Sequence, residues 1–128
     1  MKVGLREPPG GGARVRMDWA DPSSYRLSRS DARSICAVLK AETRPGSDEE
    51  FETLMRDFAY QVRDVEVGCD SYVVTRMIGS RNHFAMHAQF TSMEAFERHA
   101  DTLHMAKAMP RLSALLAAPI SMEIFLAV

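Results

Sequence analysis

The chain has no surplus of either charge. Sixteen lysines and arginines stand against seventeen acids in 128 residues, a formal net charge of −1. A nucleic-acid partner calls for a basic footprint that this balance does not supply. A long apolar run is also missing. The longest uncharged apolar stretch lies near Leu112 to Met122, is interrupted by Pro119 and is closed by Glu123. About 20 apolar residues are needed to cross a bilayer, so no membrane span is expected. Met1-Lys2-Val3-Gly4-Leu5-Arg6 leads into Pro8-Pro9-Gly10-Gly11-Gly12 rather than into an apolar leader core, so the expected location is cytoplasmic. That Gly/Pro stretch is not Walker-like and follows no strand, which leaves nucleotide binding unsupported. The serines lack a nucleophile-elbow context, and neither Cys36 nor Cys69 has an evident activating partner.

Four of the seven glycines and three of the six prolines fall in the first 22 residues, where no hydrophobic periodicity survives. Residues 1–31 read as an extension without a core of its own, and 32–128 as one folded domain. Met17, followed by Asp18-Trp19-Ala20, is a second possible start; the intact mass of the natively expressed protein tests it.

Periodicity becomes legible from Arg33. Residues 34–41 form an apolar run rich in strand formers that ends at Arg44-Pro45-Gly46. Ser47-Asp48-Glu49-Glu50 is a capping box, and Phe51, Leu54, Met55, Phe58, Ala59 and Val62 give the helix behind it one apolar stripe. Two strands, 70–77 and 83–90, flank the turn at Gly79-Ser80-Arg81-Asn82. In the second of them Phe84, Met86, Ala88 and Phe90 alternate with His83, Ala85, His87 and Gln89. Ser92-Met93-Glu94 starts a helical segment to about His99. Asp101-Thr102 allows a re-start through Met105, Met109, Leu112 and Leu116, with a kink expected at Pro110. Residues 120–127 alternate as a last strand.

The order βαββαβ predicts an α+β, ferredoxin-like fold: a four-stranded antiparallel sheet with its helices on one face. The other face is left open. If it carries Ala85 with Val73 or Val74, pairing two copies through it as a dimeric α/β barrel is the natural way to bury it. In this plan Cys36 and Cys69 stand two strand spacings apart, roughly 9–10 Å, beyond disulfide reach. Free thiols suit a reducing compartment.

Histidines are the most suggestive polar residues. His83 and His87 have ligand spacing on a helix, but on a strand they sit roughly 13 Å apart and cannot share one ion. The plainer reading puts them on the open sheet face. His99 and His104 lack a neighbouring cysteine or carboxylate cluster at ligand spacing, so no metal is expected. Their plainer readings are a helix C-terminal residue and a first-turn residue. Phe58, Met86, Phe90, Phe96, Met105 and Met109 suit a core, or the walls of a pocket for a flat apolar ligand.

Arg44-Pro45-Gly46, Gly68-Cys69-Asp70-Ser71-Tyr72, Phe84 to Phe90, Ser92 to His99 and Leu103-His104-Met105, in this order and spacing, resemble the antibiotic biosynthesis monooxygenase domain over about residues 33–127. The resemblance implies a dimeric ferredoxin-like fold. It also implies one of the family's activities: cofactor-independent oxygenation of anthrones and quinols, haem degradation, or isomerisation of a sugar phosphate. Phe90 and Ala88 stand where the family usually has Trp and Glu. The haem-degrading set of Asn, Trp and His falls on Leu39, His99 and Met109, which disfavours that branch. The anthrone branch's Asn, Trp and Tyr fall on Met86, Phe90 and Phe96, while Arg111 lies close to its Arg. His99 and His104 fit the family's recurrent His pair, and Tyr72 its strand-two aromatic.

The function implied is a cofactor-independent monooxygenase acting on an electron-rich aromatic with O2. His104 is the first choice of base, because the helix N-terminus keeps it neutral; His99 is second, and Tyr72 orients the substrate oxygen. Phe58, Met86, Phe90, Phe96, Met105, Met109 and Arg111 are the substrate-binding set, with no cofactor. The alternatives are a non-catalytic dimeric small-molecule-binding module and a cofactor-free isomerase of the same fold.

Overall fold

The computed structural model describes residues 32–128; the extension and Met17 lie outside the described residues. The elements are β1 (Ile35–Glu42), α1 (Asp48–Val65), β2 (Cys69–Arg76), β3 (His83–Phe90), α2 (Met93–Ala100), α3 (Leu103–Leu115) and β4 (Ser121–Leu126). The four strands form one antiparallel sheet in the order β2-β3-β1-β4, with β1 pairing antiparallel to both β3 and β4. This is the ferredoxin-like α+β arrangement that the βαββαβ order predicts.

Register sets the two faces. Leu39 stands opposite Met86 on β3 and Met122 on β4, and Ala37 opposite Ala88 and Ile124, so the helix-side face is continuous across three strands. The buried stripe of α1, made of Phe51, Met55, Phe58, Ala59 and Val62, packs on it. Each of these side chains except Ala59 is worth about 1.5–3 kcal/mol when fully buried, which makes burial the main force holding the helix to the sheet. At the other end of α1, Arg76 of β2 reaches Asp48 at 3.1 Å and Glu52 at 2.6 Å. The open face carries Val73 and Phe125, about half exposed, with Val38, Ala85 and His87. Val74 does not belong to it. It pairs with Met86 and packs against the core, because it sits one residue out of phase with Val73.

Ser47 does precede α1, but its side chain makes no capping hydrogen bond, since its backbone (φ −102°, ψ 2°) departs from the extended shape that aims a cap inward. Ser92 and Thr102 are working caps, accepting from the N–H groups of Ala95 and Met105. Pro110, where a kink is expected, lies inside α3, which runs on to Leu115; the carbonyl it frees belongs to Ala106, and both residues lie on the exposed side. Cys36 and Cys69 are both free, on strands separated by β3.

Candidate active site

A small cavity lies between the sheet and the helices. Its wall takes Phe58 and Met55 from α1, Tyr72 from β2, Met86, Ala88 and Phe90 from β3, Phe96 and His99 from α2, and Met105, Met109 and Leu112 from α3. Every residue named from the sequence as a site residue lines it except His104 and Arg111. Those two lie outside, in a groove between α1 and α3. The cavity measures about 40 Å³. That is room for a molecule the size of dioxygen or one or two waters, well below the ~300 Å³ at which small-molecule pockets begin. Met and Phe side chains therefore fill most of the chamber. An aromatic ring enters only if they move, and the unbranched thioethers of Met86, Met105 and Met109 are the side chains best able to do so.

His99 comes from the last turn of α2 and is 5% exposed. Its ring sits among aromatic faces, 5.0 Å from Phe90, 5.9 Å from Phe58 and 6.1 Å from Tyr72 between centroids. Its Nδ1 lies 2.9 Å from both carboxylate oxygens of Glu66. A carboxylate only accepts, so Nδ1 carries the proton and Nε2 is the ring nitrogen available to a cavity ligand. His104, in the first turn of α3, hydrogen bonds through Nε2 to Glu66 Oε2. One carboxylate thus joins an imidazole on the cavity wall to an imidazole on the groove.

Glu66 is the residue sequence reasoning missed. It caps the C-terminal end of α1, its backbone N–H donating to the Val62 carbonyl at 2.9 Å. An acid at that end opposes the helix dipole, and this is the signal that could have singled it out. Gly68 lets the following loop press on α2. A Cβ there would stand 2.5 Å from Ala95 Cβ, so no side chain fits without a shift. The Gly68 carbonyl also accepts from Thr91 N–H at 2.8 Å, fixing the loop beside His99.

Burial pushes the Glu66 carboxyl up, but the hydrogen bonds and charge of His99, then of His104, outweigh it and hold the group below the usual carboxylate range. Tyr72 is buried, which drives its phenol well above the usual value, with Cys69 and Glu66 adding to the effect; it stays neutral. Its hydroxyl has no hydrogen-bond partner among the described residues. Burial, then the Glu66 charge, pushes the Cys69 thiol up to about 11, so it is no nucleophile. The donor atoms of Glu66, His99 and His104 lie within 4.8 Å of one another, a set that could hold a divalent metal ion. No carboxylate neighbour of the two histidines was evident from sequence spacing; the fold brings in Glu66 from 33 and 38 residues away. His83 and His87 sit on the open face, as their strand position predicts, beside Ser80 and Thr75.

Among the described residues no helix is long and apolar enough to cross a membrane. No protein of curated function matches the chain. Solved structures do. A candidate antibiotic biosynthesis monooxygenase from Caulobacter crescentus is 26% identical, with a TM-score of 0.72 over 76% of this chain and 92% of that one. A Pseudomonas aeruginosa protein is 22% identical, with a TM-score of 0.69 over 80% and 99%. A variant of SnoaB, a cofactor-independent oxygenase from Streptomyces nogalater, is 21% identical, with a TM-score of 0.67 over 75% and 94%. The sequence model of one family matches residues 34–111, more than half of the chain, and with this fold around a histidine-walled cavity the protein belongs to the antibiotic biosynthesis monooxygenase family.

Proposed function

We propose that the protein is a cofactor-independent monooxygenase of an electron-rich aromatic, a quinol or an anthrone, with His99 as its base. The observation that carries this reading is the Glu66–His99 pair at the wall of an apolar cavity. In this reading His99 rather than His104 is the base, and His104, hydrogen bonded to Glu66, is a positioning residue that acts on His99 through that carboxylate.

His99 Nε2 takes the proton from the substrate's hydroxyl or its acidic C–H, and Glu66 stabilises the imidazolium that forms. The resulting anion gives one electron to O2, the substrate radical and superoxide combine into a peroxide anion, and this takes the proton back from the His99 imidazolium to give a hydroperoxide. Loss of water leaves one oxygen atom on the substrate as a carbonyl and the other in water, so substrate and O2 balance without an external reductant. Apolar walls keep water from the anion. Tyr72, neutral and with no partner for its hydroxyl among the described residues, is suited to donate to the substrate oxygen. The open sheet face, with Val38, Val73, Ala85 and Phe125, is the surface we assign to a homodimer.

Oxygen uptake with a panel of hydroquinones and anthrones tests the reading. His99→Gln is expected to lower the rate by about 10²–10⁴-fold, and His104→Gln by less, with a displaced pH profile. Uptake unchanged in His99→Gln would overturn the assignment. Conversion without oxygen uptake would identify an isomerase using the same base.

A further inference from the structure

Phe58 divides two spaces. Its side chain belongs to the wall of the small cavity and to the wall of the groove between α1 and α3, and Leu112 is shared in the same way. The Phe58 ring centroid stands 5.9 Å from that of His99 on one side and 5.7 Å from that of His104 on the other. The groove is the roomier space, about 730 Å³. A molecule reaching His99 from it would pass Phe58 and Leu112 last.

The charges of the groove point to what it holds. Lys107 and Arg111 lie four apart on α3, one turn along the same face, and both line it. Like charges at this spacing repel. Elsewhere in the domain Arg44, Arg63, Arg56, Arg76, Arg81 and Arg98 are each held by a backbone carbonyl or a carboxylate. Lys107 and Arg111 have no such partner among the described residues. Asp57 lies in the same groove without pairing to either, so the lining side chains of fixed charge sum to one positive; Glu66, bonded to His104, is not among the residues that line the groove.

We propose that the groove seats an anionic group of the substrate on Lys107 and Arg111 while its aromatic ring passes Phe58 and Leu112 toward His99. The fate of the ring rests on the oxygenase reading; recognition of the anion does not. The substrate class is then an electron-rich phenol or enol bearing a carboxylate or phosphate. Arg111 offers a planar fork and Lys107 a point charge, and both suit either anion.

Affinity measured by NMR titration separates the cases. The probes are hydroquinone, its carboxylated form 2,5-dihydroxybenzoate and its phosphorylated form 4-hydroxyphenyl phosphate. At least one anion is expected to bind roughly tenfold more tightly than hydroquinone, as a charge-assisted contact implies, and the stronger of the two names the group. That ratio should fall toward one in the Lys107→Gln/Arg111→Gln double variant and with added salt. It should persist in Arg98→Gln, on the exposed side of α2. Equal binding of all three probes, or a ratio that survives the double variant, would overturn the proposal. Oxygen uptake is recorded in parallel: anion-selective binding without uptake leaves the groove assignment standing and removes the oxygenase reading.

Discussion

Replacing Glu66 by Gln is the sharpest probe of the site, because one side chain holds two imidazoles from two helices. The amide keeps one oxygen acceptor but loses the charge, and its NH2 group confronts an N–H of His99 or His104. The carboxylate is 10% exposed, so desolvation amplifies the loss without reaching the buried limit. Hydrogen bonds to charged groups contribute about 1.5–3 kcal/mol, and breaking a fully buried pair costs about 3–5. About 2–3 kcal/mol is expected at neutral pH. With a urea slope of about 1.5 kcal/mol/M, the unfolding midpoint should fall by roughly 1.3–2 M. The pH dependence carries a definite sign. The native carboxyl lies below its ordinary 4.5, so its contribution is complete above that value and is lost as pH falls through the native one. The wild-type advantage over Glu66→Gln should therefore shrink on acidification below about pH 4.5. Urea denaturation of both proteins from about pH 7 to about pH 3 provides the measurement. Parallel curves, or a midpoint shift under a quarter of the expected one, would refute the bridging role.

Two further perturbations follow from the geometry. Gly68→Ala puts a Cβ 2.5 Å from Ala95 Cβ; it should cost about 1–3 kcal/mol in urea denaturation and shift the amide signals of Glu66 and His99. Thr102→Ala removes a cap that accepts from Met105 N–H and should cost about 1 kcal/mol, whereas Ser47→Ala, with no cap bond to lose, should change stability by under about 0.5 kcal/mol.

The strands were legible because period-two alternation is a local property. His83 to Phe90 names its buried and exposed sides residue by residue, and the observed burial follows it. Likewise the α1 stripe from Phe51 to Val62 announces a helix that covers a sheet. Val74 was ambiguous for the same reason: a one-residue phase difference reverses a face, and β2 carries a register shift between Cys69 and Ser71 that only pairing with β3 resolves. The Ser47 cap misled because composition gives the right residue without its backbone angles. Glu66 escaped because its partners lie 33 and 38 residues away, and only the packed loop at Gly68 brings them together. Which side chains line the cavity could be inferred from their types, since all the chosen Met and Phe residues do. Its size could not, being what remains after all those side chains have packed.

That residual space has a mechanical consequence. A hollow with apolar walls offers water few hydrogen-bond partners, and the space it leaves poorly filled disappears when the chain unfolds, so the unfolded state occupies less volume. Hydrostatic compression then favours it, and a void of about 40 Å³ contributes on the order of tens of mL/mol. Any gas atom or small solute that settles in the hollow would cancel part of this term and stiffen the domain against compression, whatever reaction the protein performs.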